Sequence, residues 1–425
     1  MASYPSAPNA YPGTLFPGRL DDSDGPGPPE EPPPPAAAFP PAPEAASPDQ
    51  QPVWSFVLGP AAGGMTRELS RARSRKCSFK LTEPSEVSCE VDGRHPEADY
   101  LSELATDLHV LRAPYHGARK ERLYRGRIGK SGDTFDADTH SVTIPSLDYR
   151  AVLQRRHLMS GSQVTWTQKD QAEIAFGLVQ QAQRHPGGSY GIVLGRTPAT
   201  GVLRDRTYEL GDNIGDRLQE LSEVIDGFDW DITSTSAGGL QLDIWYPQRG
   251  TELEGIVLEF GGAIASGTRT VDSGDYANHI RATGTQPEGG GEEPAIQERS
   301  APDLVSRPEG RWDKTYGESI TTTKALEERA DWLLDQAQVV TPSYSLSMRR
   351  GWWRGPSHVW LGDTVTVRIR SGRLRVNTRL RVHQIDIDIS DDGTEDVTLT
   401  VGGPKPDYRR RAAAIEKRLA SLERR

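Results

Sequence analysis

Apolar and polar residues alternate with a period of two along much of the chain. Cys77, Phe79 and Leu81 alternate with Ser78 and Lys80; after a turn at Glu83-Pro84-Ser85, Val87, Cys89 and Val91 alternate with Ser88 and Glu90. The pattern predicts a half-buried hairpin. Its midpoint near residue 83 would set Cys77 against Cys89, and the plainer reading makes both small core residues. Residues 53–58, 108–111, 122–128 and 142–144 read as further short strands, the last after an acidic turn at 133–138. Several short strands with turns between them predict a small barrel or sandwich over residues 51–150.

The period then changes. Thr167-Gln168-Lys169-Asp170 resembles a capping box, after which Ile174, Leu178, Val179 and Ala182 share a helical face that stops at His185-Pro186-Gly187-Gly188. Ile214, Leu218, Leu221 and Ile225 predict a second helix with Gly227 as its stop. Trp230 and Ile232, then Leu240, Leu242 and Ile244, alternate across Gly238-Gly239 as a hairpin. Residues 151–250 thus read as an inserted α/β domain. Alternation returns from 256 to 260 and at 365–369, 374–376, 380–382, 385–389 and 397–401, with Asp391-Asp392-Gly393 as a tight turn. Residues 251–403 read as a second barrel, carrying a long loop at 285–312 and an amphipathic helix at 321–338.

Both ends differ from this middle. Residues 1–50 hold 15 of the 32 prolines and seven acidic residues against Arg19 alone, which predicts an extended, Pro-rich acidic arm without a core of its own. At the other end, over 404–425, Tyr408, Ala412, Ile415, Leu419 and Leu422 recur at alternating spacings of four and three, a heptad seam on a short helix. Such a seam packs either on its own subunit or on symmetry mates.

The formal net charge of −10 argues against a protein that coats nucleic acid or binds membranes through basic clusters. No run approaches a membrane span, the first residues lack a secretory pattern, and two cysteines make no disulfide framework. Catalytic motifs fail on context. Gly187-Gly188-Ser189-Tyr190-Gly191 matches the nucleophile elbow, yet a helix precedes it and a strand follows. Residues 126–131 end like a phosphate loop but have Tyr124 where the first glycine belongs. Nine scattered histidines and the acidic turn at Asp133, Asp136 and Asp138 give no ligand spacing. No catalytic residue, metal or cofactor is expected. Trp352, Trp353 and Trp360, close together around Gly355-Pro356, are candidates for an interface or glycan contact, against the plainer reading of packing at a barrel end.

Several segments resemble, in order, the tail hub family, the minor tail proteins of long-tailed phages that infect actinobacteria, itself similar to the baseplate hub of contractile tails. They are Phe79-Lys80-Leu81-Thr82-Glu83-Pro84-Ser85, Tyr124-Arg125-Gly126-Arg127-Ile128, and Ser146-Leu147-Asp148-Tyr149-Arg150-Ala151-Val152-Leu153. Ile225-Asp226-Gly227-Phe228-Asp229-Trp230, Tyr276-Ala277-Asn278-His279-Ile280 and Leu361-Gly362-Asp363-Thr364-Val365 follow. The resemblance implies a mainly β fold with an α+β insertion: two tail-tube-like β-barrel domains flanking an α/β domain. It implies a homotrimer whose six barrels adapt a sixfold tail tube to a threefold tip and close it until DNA ejection. The implied partners are a distal tail protein ring, the tape-measure protein C-terminus, other minor tail or receptor-binding proteins, and genomic DNA that passes without specific binding. The implied location is the distal tip of the virion tail, after assembly in the host cytoplasm. The competing expectation is a tail-tip protein that binds or degrades host-wall carbohydrate. For a hub, an acidic channel wall would let DNA slide, because phosphate attraction is what makes it stick.

Overall fold

In the computed structural model the described residues are 51–403, apart from 160, 162, 225, 236–237, 275, 285–292, 318–322 and 339. The expected arm (1–50) and seam helix (404–425) lie outside them. The first eight strands are β1 (Val53–Pro60), β2 (Arg67–Glu68), β3 (Arg73–Lys80), β4 (Glu86–Asp92), β5 (Thr106–Ala113), β6 (Glu121–Ile128), β7 (Gly132–Phe135) and β8 (His140–Asp148). An α/β module follows: α1 (Tyr149–Leu153), β9 (Val164–Asp170), α2 (Gln171–Gln183), β10 (Ile192–Leu194), β11 (Leu203–Tyr208), α3 (Ile214–Ser222), β12 (Asp229–Ser234) and β13 (Leu240–Trp245). Strands β14 (Glu252–Glu259) and β15 (Ile264–Thr270) begin the last part. A small module interrupts it with β16 (His279–Thr283), β17 (Ile296–Ser300), α4 (Pro302–Val305), β18 (Asp313–Gly317) and α5 (Thr323–Ala337). The sheet resumes with β19 (Ser343–Met348), β20 (Thr364–Ser371), β21 (Leu374–Ile389) and β22 (Glu395–Gly402).

Strands from both ends of the chain join in one curled 14-stranded sheet over a single apolar core, and each α/β module keeps a core of its own. The N-terminal part of this sheet runs β3-β4-β8-β6-β5-β1. The C-terminal part runs β15-β19-β22-β21-β20-β14. Ranked by chain position, with the short β2 and β7 set aside, these are the same order: second, third, sixth, fifth, fourth, first. The first four pairings are antiparallel in both. The last differs, since β1 lies antiparallel to β5 while β14 lies parallel to β20.

Irregularities recur too. The second strand of each set bulges near its start, at Arg73/Lys76 and at Ile264/Ser266. The fifth strand of the C-terminal set, β21, bulges between Val382 and Gln384, so that its first half pairs with β20 and its second half with β22. Strands β6 and β7 trace the same path: Ile128 faces Ser146 and Gly132 faces Thr143 on β8, with one residue extra on their side. A bulge bends a strand and raises its twist, which is how a sheet of this length curls.

Several expectations need correcting. The loop at 285–312 contains β17 and α4, and with α5 they form a module rather than an excursion of the second barrel. Ile296-Gln297-Glu298-Arg299-Ser300 buries neither face fully, so it shows no alternation to read. The strands read at 374–376, 380–382 and 385–389 are the single strand β21. The capping box is misplaced, because Thr167 lies on β9 and Asp170 caps α2 through Ala172 N–H. Helix α3 ends at Ser222, and Gly227 serves a close approach to the Ser222 carbonyl that a Cβ would block. The acidic turn at 133–138 begins as strand β7. Cys77 faces Val87 and Cys89 faces Ile144; both are buried, free thiols.

Candidate functional site: the joints between modules

Five of the six segments quoted for the resemblance lie at places where modules meet; the sixth, around Asn278, lies within the small module. The first joint closes the big sheet. β3 lies antiparallel along the second half of β21, with Phe79 opposite Ile385, Cys77 opposite Ile387 and Lys76 opposite Asp388. On the core side Phe79, Cys77, Ile385 and Ile387 are buried; each large apolar side chain so placed contributes about 1.5–3 kcal/mol. On the solvent side Lys76 pairs with Asp388 at 3.7 Å, and Gln384 Nε2 donates to Ser78 Oγ at 3.2 Å.

A buried ion pair ties the same halves together. Arg112 on β5 donates through Nε and Nη2 to the two carboxylate oxygens of Glu395 on β22, at 2.7 and 3.1 Å, and Trp54 Nε1 donates to Glu395 Oε1 at 2.7 Å. The Arg112 guanidinium lies 4.8 Å from the Trp353 ring centre, and its Nη1 donates to the Arg354 carbonyl. The fork engages both carboxylate oxygens, and removing either partner would leave the other charge buried without its counter-ion.

The predicted tryptophans belong to this joint. Trp353 is only 3% exposed, stacks on Trp360 at 6.3 Å and donates Nε1 to the Val359 carbonyl. Trp360 packs on Phe79, and Trp352 on His358. Trp352 and Trp360 are half-buried, so the three indoles do not form an exposed platform. Tyr408, Ala412, Ile415, Leu419 and Leu422 lie outside the described residues.

Asp107 anchors a second joint, between the N-terminal sheet and the α/β module. It is buried and accepts from Arg125 Nε at 2.8 Å, Arg127 Nε at 2.6 Å and Tyr149 OH at 2.7 Å, while Arg125 Nη1 donates to the Gly238 carbonyl. Gly126, between the two arginines, lies where any Cβ would strike the Tyr124 ring. A third joint centres on Asp148, which caps α1 through Arg150 N–H and also accepts from Ser85 N–H at 2.7 Å. Arg150 reaches back to the carbonyls of Leu81 and Glu83, faces Asp231 at 3.4 Å and covers the Trp230 ring. Burial first, then the neighbouring Asp231 charge, pushes the Asp148 carboxyl up to about 7.

A fourth joint links the α/β module to the C-terminal sheet. Arg381 on β21 pairs with Asp229, Arg249 N–H donates to Asp229 at 2.6 Å, and Thr251 N–H donates to Asp363 at 3.0 Å. Gly250 and Gly362 both take positive φ, and a Cβ on either would strike the other's chain segment, so glycine is required at each. In the small module the buried Asn278 donates to the Gly310 carbonyl and accepts from Trp312 N–H, both at 2.8 Å. Sequence reading missed these partners because a charged residue within a strand ordinarily faces water.

Among the described residues no group of His, Cys, Asp or Glu is arranged to hold a metal ion, and no helix is long and apolar enough to cross a membrane. An open cavity of about 610 Å3 lies beside the start of β15, lined by Ala265, Met348, Arg350 and Asp396 among others. Its one carboxylate is held by Arg350 at 2.8 Å.

No protein-family model matches the sequence, and no curated protein matches it. Solved structures do match its fold. The 43 kDa tail protein of prophage MuSo2 from Shewanella oneidensis is 15% identical, with a TM-score of 0.57 over 83% of this chain and 99% of that one. A tail protein from Neisseria meningitidis MC58 is 11% identical, with a TM-score of 0.55 over 82% and 96%. Prophage tail protein gp18 from Listeria monocytogenes EGD-e is 11% identical, with a TM-score of 0.52 over 87% and 100%. The chain therefore has the fold seen in these phage tail proteins. A PdpA–VgrG complex chain shares it at 8% identity and a TM-score of 0.51, over 84% of this chain and 66% of that one.

Proposed function

We propose that this chain is a structural protein of a phage tail, acting as a trimeric hub at the distal tip. Three copies carry six half-sheets of one strand order, each acting as a tail-tube-like barrel. The ring sits on a sixfold tube, presents threefold symmetry below it, and closes the tube until the genome leaves. The observation that carries this reading is the repeated strand order and its repeated bulges. Three copies of a chain with two equivalent modules can present six equivalent modules around one threefold axis. The polar joints support it, because a ring needs fixed angles between modules.

The role is one of shape rather than catalysis. Three of the fold neighbours named above are tail proteins, and the cavity beside β15 offers no free acid–base pair. The solvent face of the central strands carries Glu86, Glu90, Asp92, Asp386, Asp388 and Asp396 against Arg73, Lys76 and Lys80. Turned toward the channel, such a face would not hold phosphate. The seam Tyr408, Ala412, Ile415, Leu419 and Leu422 would add a three-helix bundle on the axis; Ile415→Asp with Leu419→Asp should then weaken trimers. Neighbours in the particle would be the distal tail ring, the tape-measure C-terminus and other minor tail or receptor-binding proteins. Electron microscopy of assembled particles tests the role: three copies at the distal end support it, and copies along the tube or none in the tail refute it.

A further inference from the structure

The joint between β3 and β21 is used once within the chain, while both of its component strands exist twice. β3 is the second strand of the N-terminal set, and its counterpart in the C-terminal set is β15. The joint's other strand is the second half of β21, and its counterpart is β7. Among the described residues β15 has a single strand partner, β19, and β7 pairs only with β8. All four residues of β7 are exposed, as is every residue of β15 after Ile264. Phe135 on β7 is 75% exposed, and Val271, directly after β15, 47%. An unpaired edge with exposed apolar groups is an invitation to strand addition that single-chain proteins normally block.

We infer that β7 of one copy pairs antiparallel with β15 of a second copy of this chain, repeating between subunits the joint that β3 and β21 make within one. The inference rests on the trimeric reading above and supplies its interface. The contact is head-to-tail, so it does not stop at a dimer, and it closes into a ring when each copy turns by one third of a circle.

The register follows once Ser146 and Val401 are taken as counterparts, because the fifth-strand irregularity falls directly after the residue facing each, Ile128 and Val382. Cys77 sits beside Val87, which faces Ser146; Arg269 sits beside Tyr344, which faces Val401. Four residues back along β22 from Val401, Val397 faces Ile387; four residues back along β8 from Ser146, Val142 faces Asp133. Cys77 and Ile387 are partners in the chain, so Arg269 and Asp133 become partners between chains. Thr268 then meets Thr134, and Gly267 meets Phe135.

Charge and shape play no part in that derivation, yet they fit it. Arg269 meets the Asp133 carboxylate, whose one hydrogen-bonded side-chain partner among the described residues is His140 Nε2, at 2.8 Å. Two threonines meet side by side, and the exposed Phe135 ring faces a residue with no side chain of its own. Like charges or two bulky rings at these positions would have spoken against the pairing.

The test is a Thr134→Cys/Thr268→Cys double variant of the full chain, oxidised and run without reductant. Directly opposed strand residues bring Cα atoms within disulfide range. Cys77 and Cys89 are buried, with thiols pushed up by that burial, so background is low. Linked dimers and trimers that require both cysteines are expected; neither single variant should give a trimer. As a second arm, Asp133→Arg or Arg269→Asp should weaken self-association about tenfold or more, and the two together should restore it. No cross-link, with wild-type mass at three times the 46.7 kDa protomer, would overturn this pairing and leave the trimer standing. A wild-type mass of one protomer would overturn the trimer itself.

Discussion

Arg112 and Glu395 are 283 residues apart and meet as a buried, two-point ion pair that ties β5 to β22. Their side chains are 6% and 8% exposed, so removing either leaves the other charged and stranded. Arg112→Ala and Glu395→Ala should each cost about 3–5 kcal/mol in urea unfolding, whereas Arg112→Met with Glu395→Leu should cost far less. Single-variant losses below about 1 kcal/mol would mean that the pair does not hold the halves together.

Gly355 tests the packing beside that pair. Its φ is +114°, and a Cβ there would lie 2.7 Å from Arg112 Nη1, whereas Gly351, at φ +73°, faces open space. Both alanine variants carry backbone strain of about 1–2 kcal/mol. Only Gly355→Ala should also disturb Arg112, so its melting temperature should fall further than that of Gly351→Ala. Equal losses would place the guanidinium elsewhere.

His109 makes the fold sensitive to acid. Burial first, then the charges of Arg122 and Arg125, pushes its imidazole down to about 3. The unfolded chain takes up this proton near 6.5 and the folded chain resists until about 3. His109 therefore stabilises the neutral-pH fold, and this contribution is lost as pH falls from about 6.5 toward 3. At pH 4.5 the loss is about 3 kcal/mol. Asp148 acts with the opposite sign: its carboxyl is pushed up to about 7, so its contribution is present below the unfolded value and lost as pH rises through 7. His109→Gln should flatten the acid limb of a stability–pH curve, and an unchanged limb would assign the sensitivity to other groups.

The tryptophans separate packing from recognition. Trp353→Ala removes a buried ring that meets Arg112 and Trp360, and should cost about 3–5 kcal/mol. Trp352→Ala should cost less, since its ring is half-buried. Sedimentation with host-wall glycan should show no binding that Trp352→Ala abolishes; such a loss would favour the carbohydrate-binding alternative.

What could be read from the sequence follows burial. Val87, Cys89 and Val91 alternate because one face of β4 is in the core, and α2 shows its face through Ile174, Leu178 and Val179. Tyr344, Leu346 and Met348 on β19 alternate just as clearly, although β19 is not among the strands expected above. Strands β7, β15 and β17 gave no such signal, because none buries a whole face within the chain. For β7 and β15 every side chain but Ile264 is exposed, so neither face selects apolar residues. The joints were hidden in another way. Asp107, Arg112, Asp148 and Glu395 are individually ordinary strand charges, and only the fold brings their partners to them. The resemblance found them indirectly, since its segments hold Arg125, Asp148, Arg150, Asp229 and Asp363.

Cryo-electron microscopy of the purified full-length assembly addresses the repeated architecture most directly. The expected map has three chains and six half-sheets at one radius, alternating N-terminal and C-terminal around a single axis. A map with the two halves at different radii, or particles of one chain, would contradict it.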